Sequence, residues 1–273
     1  MDLQKLDRLL TVISSILFLL TLSFSAQALT YPLEKIRPDG GVTAKSYLVI
    51  DDEGKVIAEK SADEPRPIAS ITKMMTVIVV LDTNRSLDEA ITLNHKVRGR
   101  YHTHLPRTVK TLTRGELIDL AMVKSDNFAA YHLCSSYPGG LDNCVSAMND
   151  KAIKLGMTDT RYTDPTGLYD TNISTARDLI KLITAAQEYP EMISSTKAKV
   201  DIKVKRRWWE FWNTNPLVRK GDDVILSKTG YIHSSGGCLV MLMNTETGKR
   251  TIALLGSRNT RTRFPEALHL VSN

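Results

Sequence analysis

The sequence predicts an α+β fold, and three observations predict it. Strand and helix signals are segregated along the chain: two strands, then a helical block, then three or four strands and a closing helix. The 273 residues, 42% hydrophobic and 24% charged, have an ordinary globular profile and suffice to bury a sizeable core. No internal repeat, low-complexity segment or interdomain linker interrupts them. The simplest closure sets the N-terminal hairpin beside the C-terminal strands in one antiparallel sheet. The helical block then packs on one face, leaving a cleft where sheet and helices meet.

Residues 1–28 stand apart from this fold. Lys5 and Arg8 precede an apolar run from Leu9 to Phe24, and Ala26-Gln27-Ala28 follows. That is the n-region, h-region and A-x-A site of a cleaved signal peptide, although Asp2 and Asp7 offset the two cations. The alternative is an uncleaved anchor, but the run is short and carries Thr11, Ser14, Ser15, Thr21 and Ser23. The expected mature domain is residues 29–273.

Its elements follow in order. "KSYLVIDDEGKVIAEKS" (45–61) reads as two strands around an Asp-Glu-Gly turn. "PIASITKMMTVIVVLD" (67–82) has helical length, with a β-branched tail that periodicity alone leaves ambiguous. Thr113-x-x-Glu116 is a capping box that starts a helix at about Arg114. Ser125-Asp126-Asn127 interrupts its apolar period with three cap-and-turn formers, and a second helix starts at Phe128. "LDNCVSAMNDKAIKLGM" is a helix ended by Gly156, and "STARDLIKLITAAQEYP" another with Ser174 as N-cap. Strands return in "AKVDIKVKRRWWEFW", "DDVILSKTGYI" and "GCLVMLMNTETGKRTIALLGS", the last turning at Glu246-Thr247-Gly248. A final helix covers about Arg261 to Val271.

Charge and cysteine content narrow the function classes. The net charge is +6, and removing residues 1–28 takes away two cations and two anions, leaving it unchanged. A basic exported protein fits an anionic partner such as a wall polymer or a membrane surface. The one basic cluster suited to nucleic acid is "KVKRRWW" (203–209), which export argues against and which reads equally as the solvated face of a strand. Cys134 and Cys144 flank "SSYPGG"; an oxidising compartment would let them pair, and two buried free thiols fit equally well. Cys238 is left over as a small buried apolar residue. No Cys/His spacing reads as a metal site, and His102-x-His104 alone reads as surface.

The chemistry starts from Lys73, the one full charge in the apolar stretch from Ile68 to Leu81. A lysine is rarely buried without a partner, and an isolated ammonium in an apolar interior is very costly. On a helix Lys73 shares a face with Ser70, one turn earlier. Ser70, in the first turn after Pro67, would expose its hydroxyl and leave its N–H unpaired at the positive helix end. A serine hydroxyl needs a base to become a nucleophile. An ordinary lysine of pKa ~10.4 is neutral in under about 0.1% of molecules at pH 7, but burial and a second cation lower that value. Ser-x-x-Lys alone is weak, since a lysine can equally snorkel from a surface helix. Two tripeptides strengthen it: Ser125-Asp126-Asn127 at a helix break and Lys228-Thr229-Gly230 at the end of an apolar strand. Each arises by chance in a chain this long at roughly 5%. The ordered trio is the signature of class A β-lactamases and penicillin-binding proteins.

On these motifs, with "PIASITKMM", "KSDNFAA", "LGMTDTRYTDPTGL", "STARDLIKL", "NTNPLV" and "KTGY…GGCLVM", nearly all of the mature chain resembles the serine DD-peptidases. Within them it is similar to the low-molecular-mass penicillin-binding proteins of the D-alanyl-D-alanine carboxypeptidase/endopeptidase group, most of all the penicillin-binding protein 7 type. The resemblance implies a β-lactamase/transpeptidase-like fold, a five-stranded antiparallel sheet and a helical block with the active site between them. It implies a hydrolase of wall biogenesis and cell shape in the periplasm, with no cofactor, no metal and no membrane span after signal cleavage. Ser70 would attack a D-Ala carbonyl, Lys73 would be the general base, and Ser125 would relay the proton to the leaving amine. Asn127 would hold the substrate backbone, while Lys228, Thr229 and Gly230 would form its carboxylate-binding edge, Lys228 also lowering the pKa of Lys73. The backbone N–H groups of Ser70 and Tyr231 would form the oxyanion hole. Arg258 or Arg261 would assist the carboxylate. The implied partners are peptidoglycan peptides, and β-lactam antibiotics as covalent inhibitors.

Endopeptidase action on D-Ala-to-diaminopimelate cross-links is the favoured activity, because the chain shows no β-rich domain or amphipathic anchor after the catalytic one. Carboxypeptidase trimming of pentapeptides is the alternative. A serine β-lactamase would need a deacylating glutamate, and "RYTDPTGLYDTN" has none. A non-catalytic wall-binding protein would leave Lys73 without a reason. Trp208, Trp209 and Trp212 read as strand side chains covering the helical block, or alternatively as a surface for glycan rings or membrane.

Overall fold

Among the described residues, the first long strand lies against the last one. A computed structural model describes residues 41–272; the expected signal peptide, residues 1–28, lies outside them. β1 (Ser46–Asp51) and β2 (Val56–Lys60) make the expected hairpin, turned at Gly54 in the left-handed region. A two-residue β3 (Arg66–Pro67) and a 3-10 turn over Ala69–Ile71 lead into α1 (Thr72–Leu81). β4 (Ala90–Thr92) pairs with β5 (Thr111–Thr113). α2 (Arg114–Asp119) begins with the predicted capping box, Thr113 Oγ1 accepting from Glu116 N–H and the Glu116 carboxylate from Thr113 N–H.

α2 runs on as a π-turn, Leu120–Lys124, before α3 (Asn127–Ser135), which Asp126 caps one residue earlier than expected. α4 (Gly140–Lys154) stops ahead of Gly156. β6 (Ile173–Ser174) pairs with β3, and α5 (Ala176–Ala186) follows. Ser174 is therefore a strand residue, and the cap is Thr175, whose hydroxyl accepts from Asp178 N–H. β7 (Lys199–Val204), β8 (Arg207–Trp212), α6 (Pro216–Lys220), β9 (Val224–Ile232), β10 (Gly236–Thr245), β11 (Gly248–Ser257) and α7 (Arg263–Val271) complete the order.

The main sheet has the order β2-β1-β11-β10-β9, with every neighbour antiparallel. Its central strands are apolar on both sides because both faces are covered. Leu48, Val240, Leu242, Ala253 and Leu255 point into the core shared with the helical block. Val49, Leu239, Met241, Ile252 and Leu254 meet Phe264, Ala267, Leu270 and Val271 of α7 on the other face. Cys134 and Cys144 are joined in a disulfide between α3 and α4, and Cys238 is buried and free.

The segment over 199–212 departs from expectation. It is a separate two-stranded hairpin outside the main sheet, turned at Lys205, which has φ +57°. Val200, Ile202, Val204 and Phe211 pack into the helical core, and the hairpin contacts the π-turn. The tryptophans do not provide that cover: Trp208, Trp209 and Trp212 are 64%, 40% and 48% exposed. Period-two alternation turns Trp208 and Trp212 outward, where Lys203 and Lys199 lie across the strand pair from them.

Candidate active site

The turn at Ala69–Ile71 presses against β9 and brings two of the three motifs together. Ala69 is held at φ +47°, a conformation non-glycine residues seldom adopt, immediately before Ser70. Close packing accounts for two glycines here. A Cβ on Gly230 would lie 2.8 Å from the Ile68 carbonyl oxygen and 3.0 Å from Ser70 N. A Cβ on Gly167, at φ +71°, would lie 1.8 Å from the Ala69 carbonyl oxygen. Tyr231 follows Gly230 on the same strand with its side chain exposed.

Lys73 is fully buried, which removes the reading of it as a surface lysine. Its Nζ is 2.8 Å from Ser70 Oγ, 2.7 Å from Asn127 Oδ1 and 2.6 Å from the Thr166 carbonyl oxygen. Burial lowers its pKa to about 7, against the opposing pull of Asp164 and Asp126. A neutral amine has two N–H donors and one lone pair. In that form the two carbonyl oxygens would take the donors and leave the lone pair for the Ser70 hydroxyl, whereas the ammonium donates to all three oxygens.

Ser125 ends the π-turn in the left-handed region, φ 60°, and its Oγ accepts from Lys228 Nζ at 2.7 Å. Asp126 faces away: its carboxylate accepts from Ala129 N–H and from the Thr103 hydroxyl, fixing the loop that presents Ser125 and Asn127. Lys228 is buried, and its pKa is well below the ordinary lysine range through burial first, then through Lys73 and Arg263. Burial is the largest cause at both lysines, and the repulsion between Lys73 and Lys228 is mutual, each disfavouring charge on the other. Thr229 Oγ1 shares a hydrogen bond of 2.6 Å with Thr214 Oγ1.

A family model described as D-alanyl-D-alanine carboxypeptidase matches residues 34–258. The chain belongs to this family. A D-alanyl-D-alanine endopeptidase of Pseudomonas aeruginosa is 37% identical over 97% of this chain and 87% of its own length. A D-alanyl-D-alanine carboxypeptidase of Escherichia coli is 28% identical, over 85% of this chain and 61% of its own. The solved DD-transpeptidase of Streptomyces superposes with a TM-score of 0.78 at 27% identity, covering 85% of this chain and 97% of that one. The α+β architecture of this family member is therefore the DD-transpeptidase fold.

Three features of the family member's site went unread in the sequence. Thr166 enters through its main chain, and Asp164 holds that loop by accepting from Thr166 N–H, the Thr166 hydroxyl and Gly167 N–H. The Asp-Pro-Thr-Gly run marked the turn but not its target. Thr214 reaches Thr229 from the loop after β8. Arg258 and Arg261, the arginines expected at the carboxylate edge, are exposed; Arg263 is buried instead and donates from Nη1 to the Gly230 carbonyl at 2.6 Å.

Proposed function

We propose that the protein is a serine DD-peptidase that hydrolyses the bond after D-Ala in peptidoglycan peptides, acting mainly as an endopeptidase on D-Ala-to-diaminopimelate cross-links. The observation that carries this reading is the buried, pKa-lowered Lys73 with its Nζ 2.8 Å from Ser70 Oγ. Ser70 Oγ attacks the D-Ala carbonyl carbon as Lys73 takes the hydroxyl proton. The developing oxyanion is met by the N–H groups of Ser70 and Tyr231. The leaving amine receives its proton through the Ser125 hydroxyl, which Lys228 holds, and the acyl-enzyme forms. Water, activated by the same base, then releases the D-Ala carboxylate and restores Ser70. Asn127 aligns the substrate main chain, and Lys228, Thr229 and Gly230 receive the terminal carboxylate. A carboxylate arriving beside Lys228 favours the charged form of that lysine.

The endopeptidase preference is supported by the higher identity to the Pseudomonas enzyme; carboxypeptidase action is the second reading. The proposed place of work is the periplasm. Among the described residues no helix is long and apolar enough to cross a membrane.

Intact-mass analysis with benzylpenicillin, run beside Ser70→Ala, tests the mechanism. A persistent single adduct absent from the variant supports it, and rapid turnover of penicillin would make the protein a β-lactamase. Digestion of cross-linked dimers and of pentapeptides then separates the two peptidase activities by which substrate disappears.

A further inference from the structure

Two cavities outside the catalytic cleft, about 430 and 470 Å³, share one wall residue, Pro106. Arg98, His102, Thr103 and Arg107 line the first; Thr108, Lys205, Arg206, Arg207 and Trp209 line the second. Together they make an open groove from the segment between β4 and β5 to the tip of the β7–β8 hairpin. The groove begins one hydrogen bond from the second motif, since the Thr103 hydroxyl donates to Asp126, between Ser125 and Asn127.

The charge of this groove is one-sided. Among the described residues no carboxylate lines either cavity. Arg107, Lys205, Arg206 and Arg207 have no ion-pair partner among the described residues. The walls are also held in place. The Arg98 guanidinium donates to the Thr103 and Leu105 carbonyls and stacks 6.0 Å from the Phe128 ring. Trp209 ends the groove half-exposed.

We propose that this groove is an extended binding site for the carboxylate-bearing peptide stems of the wall polymer, beyond the stem being cut. The proposal rests on the DD-peptidase reading for the identity of the polymer. Four cations without an acidic partner along this open groove match a flexible peptide carrying several free carboxylates, and the Trp209 ring covers its apolar side chains. A membrane surface is a poorer match. The outward face of the hairpin carries Asp201 and Glu210 opposite one another between Trp208 and Trp212, carboxylates that repel an anionic bilayer.

The test uses the mature chain, a charge-reversed variant (R107E/R206E/R207E) and a charge-keeping one (R107K/R206K/R207K). Co-sedimentation with purified insoluble peptidoglycan is measured at low and high salt, and acylation of Ser70 by benzylpenicillin monitors the catalytic centre separately. Expected results are salt-sensitive binding by wild type, a loss of about tenfold or more in the reversed variant, and wild-type-like binding in the lysine variant. Equal binding by the reversed variant would overturn the groove. So would undiminished binding to wall glycan stripped of its peptides, or groove-dependent binding to phosphatidylglycerol vesicles of the same strength. Absence of penicillin acylation in wild type would instead overturn the DD-peptidase reading, while the sedimentation result would still judge the groove.

Discussion

Three oxygens lie within hydrogen-bond distance of Lys73 Nζ, and an amine that has given up its proton keeps a lone pair for the Ser70 hydroxyl. With its pKa lowered to about 7, Lys73 becomes a competent base as pH rises through that value. The rate of acylation by benzylpenicillin in the free enzyme should therefore climb from acid pH, reach half its plateau near pH 7, and level off above it. Stopped-flow or quenched intact-mass kinetics would record the profile, and an acylation rate independent of pH from 5 to 9 would rule the base assignment out. Lys73→Met should lower the plateau by about 10²–10⁴-fold. Gly167→Ala should destabilise the protein by at least about 2 kcal/mol in denaturant unfolding, because it combines a left-handed backbone with a clash on the Ala69 carbonyl. Ser70 and Lys73 were legible because a helix turns spacing into contact. Thr166 was not, because a main-chain carbonyl has no side-chain signature. Arg258, Arg261 and Arg263 crowd one stretch, "SRNTRTR", and only the fold shows that Arg263 is the one buried against Gly230.

The β7–β8 hairpin separates pattern from content at the scale of elements. Its period-two alternation was readable, but the side that faces the core was not, since aromatic residues occupy both sides. The buried ring is Phe211, so Phe211→Ala should cost about 3 kcal/mol or more in thermal or denaturant unfolding, while Trp208→Ser should stay within about 0.5 kcal/mol. Similar losses for the two would contradict the assigned faces. The capping box of α2 was read correctly because two complementary side chains define it. The cap of α5 was displaced by one residue because Ser174 and Thr175 are both cap formers, and pairing of β6 with β3 decides between them. The bridge from Cys134 to Cys144 joins α3 to α4 across a separation of 10 residues. Its reduction should lower stability by about 2–3 kcal/mol on the chain-entropy account, seen as a lower midpoint of unfolding in the presence of a thiol reductant.

For the whole molecule, the order of elements was enough to give the sheet. Segregated strands at the two ends of the chain have few ways to close, and β2-β1-β11-β10-β9 is the simplest. The second layer on the far face, α7 against Val49, Leu239 and Ile252, was less visible, because continuous apolar strands do not say what covers them. That topology also bears on how the chain comes to be folded. β1 is made early, yet its partner β11 begins about two hundred residues later, at Gly248. Contacts so distant in sequence close slowly, and the central sheet is incomplete until the C-terminal strands are available. Lys228 and Gly230, which meet Ser125 and Ser70, belong to that late section. A chain ended after Thr245 should accordingly be sensitive to limited proteolysis and form no penicillin adduct. The nascent polypeptide thus lacks a complete hydrolytic centre for nearly all of its synthesis, and the last strands to be made are the ones that assemble it.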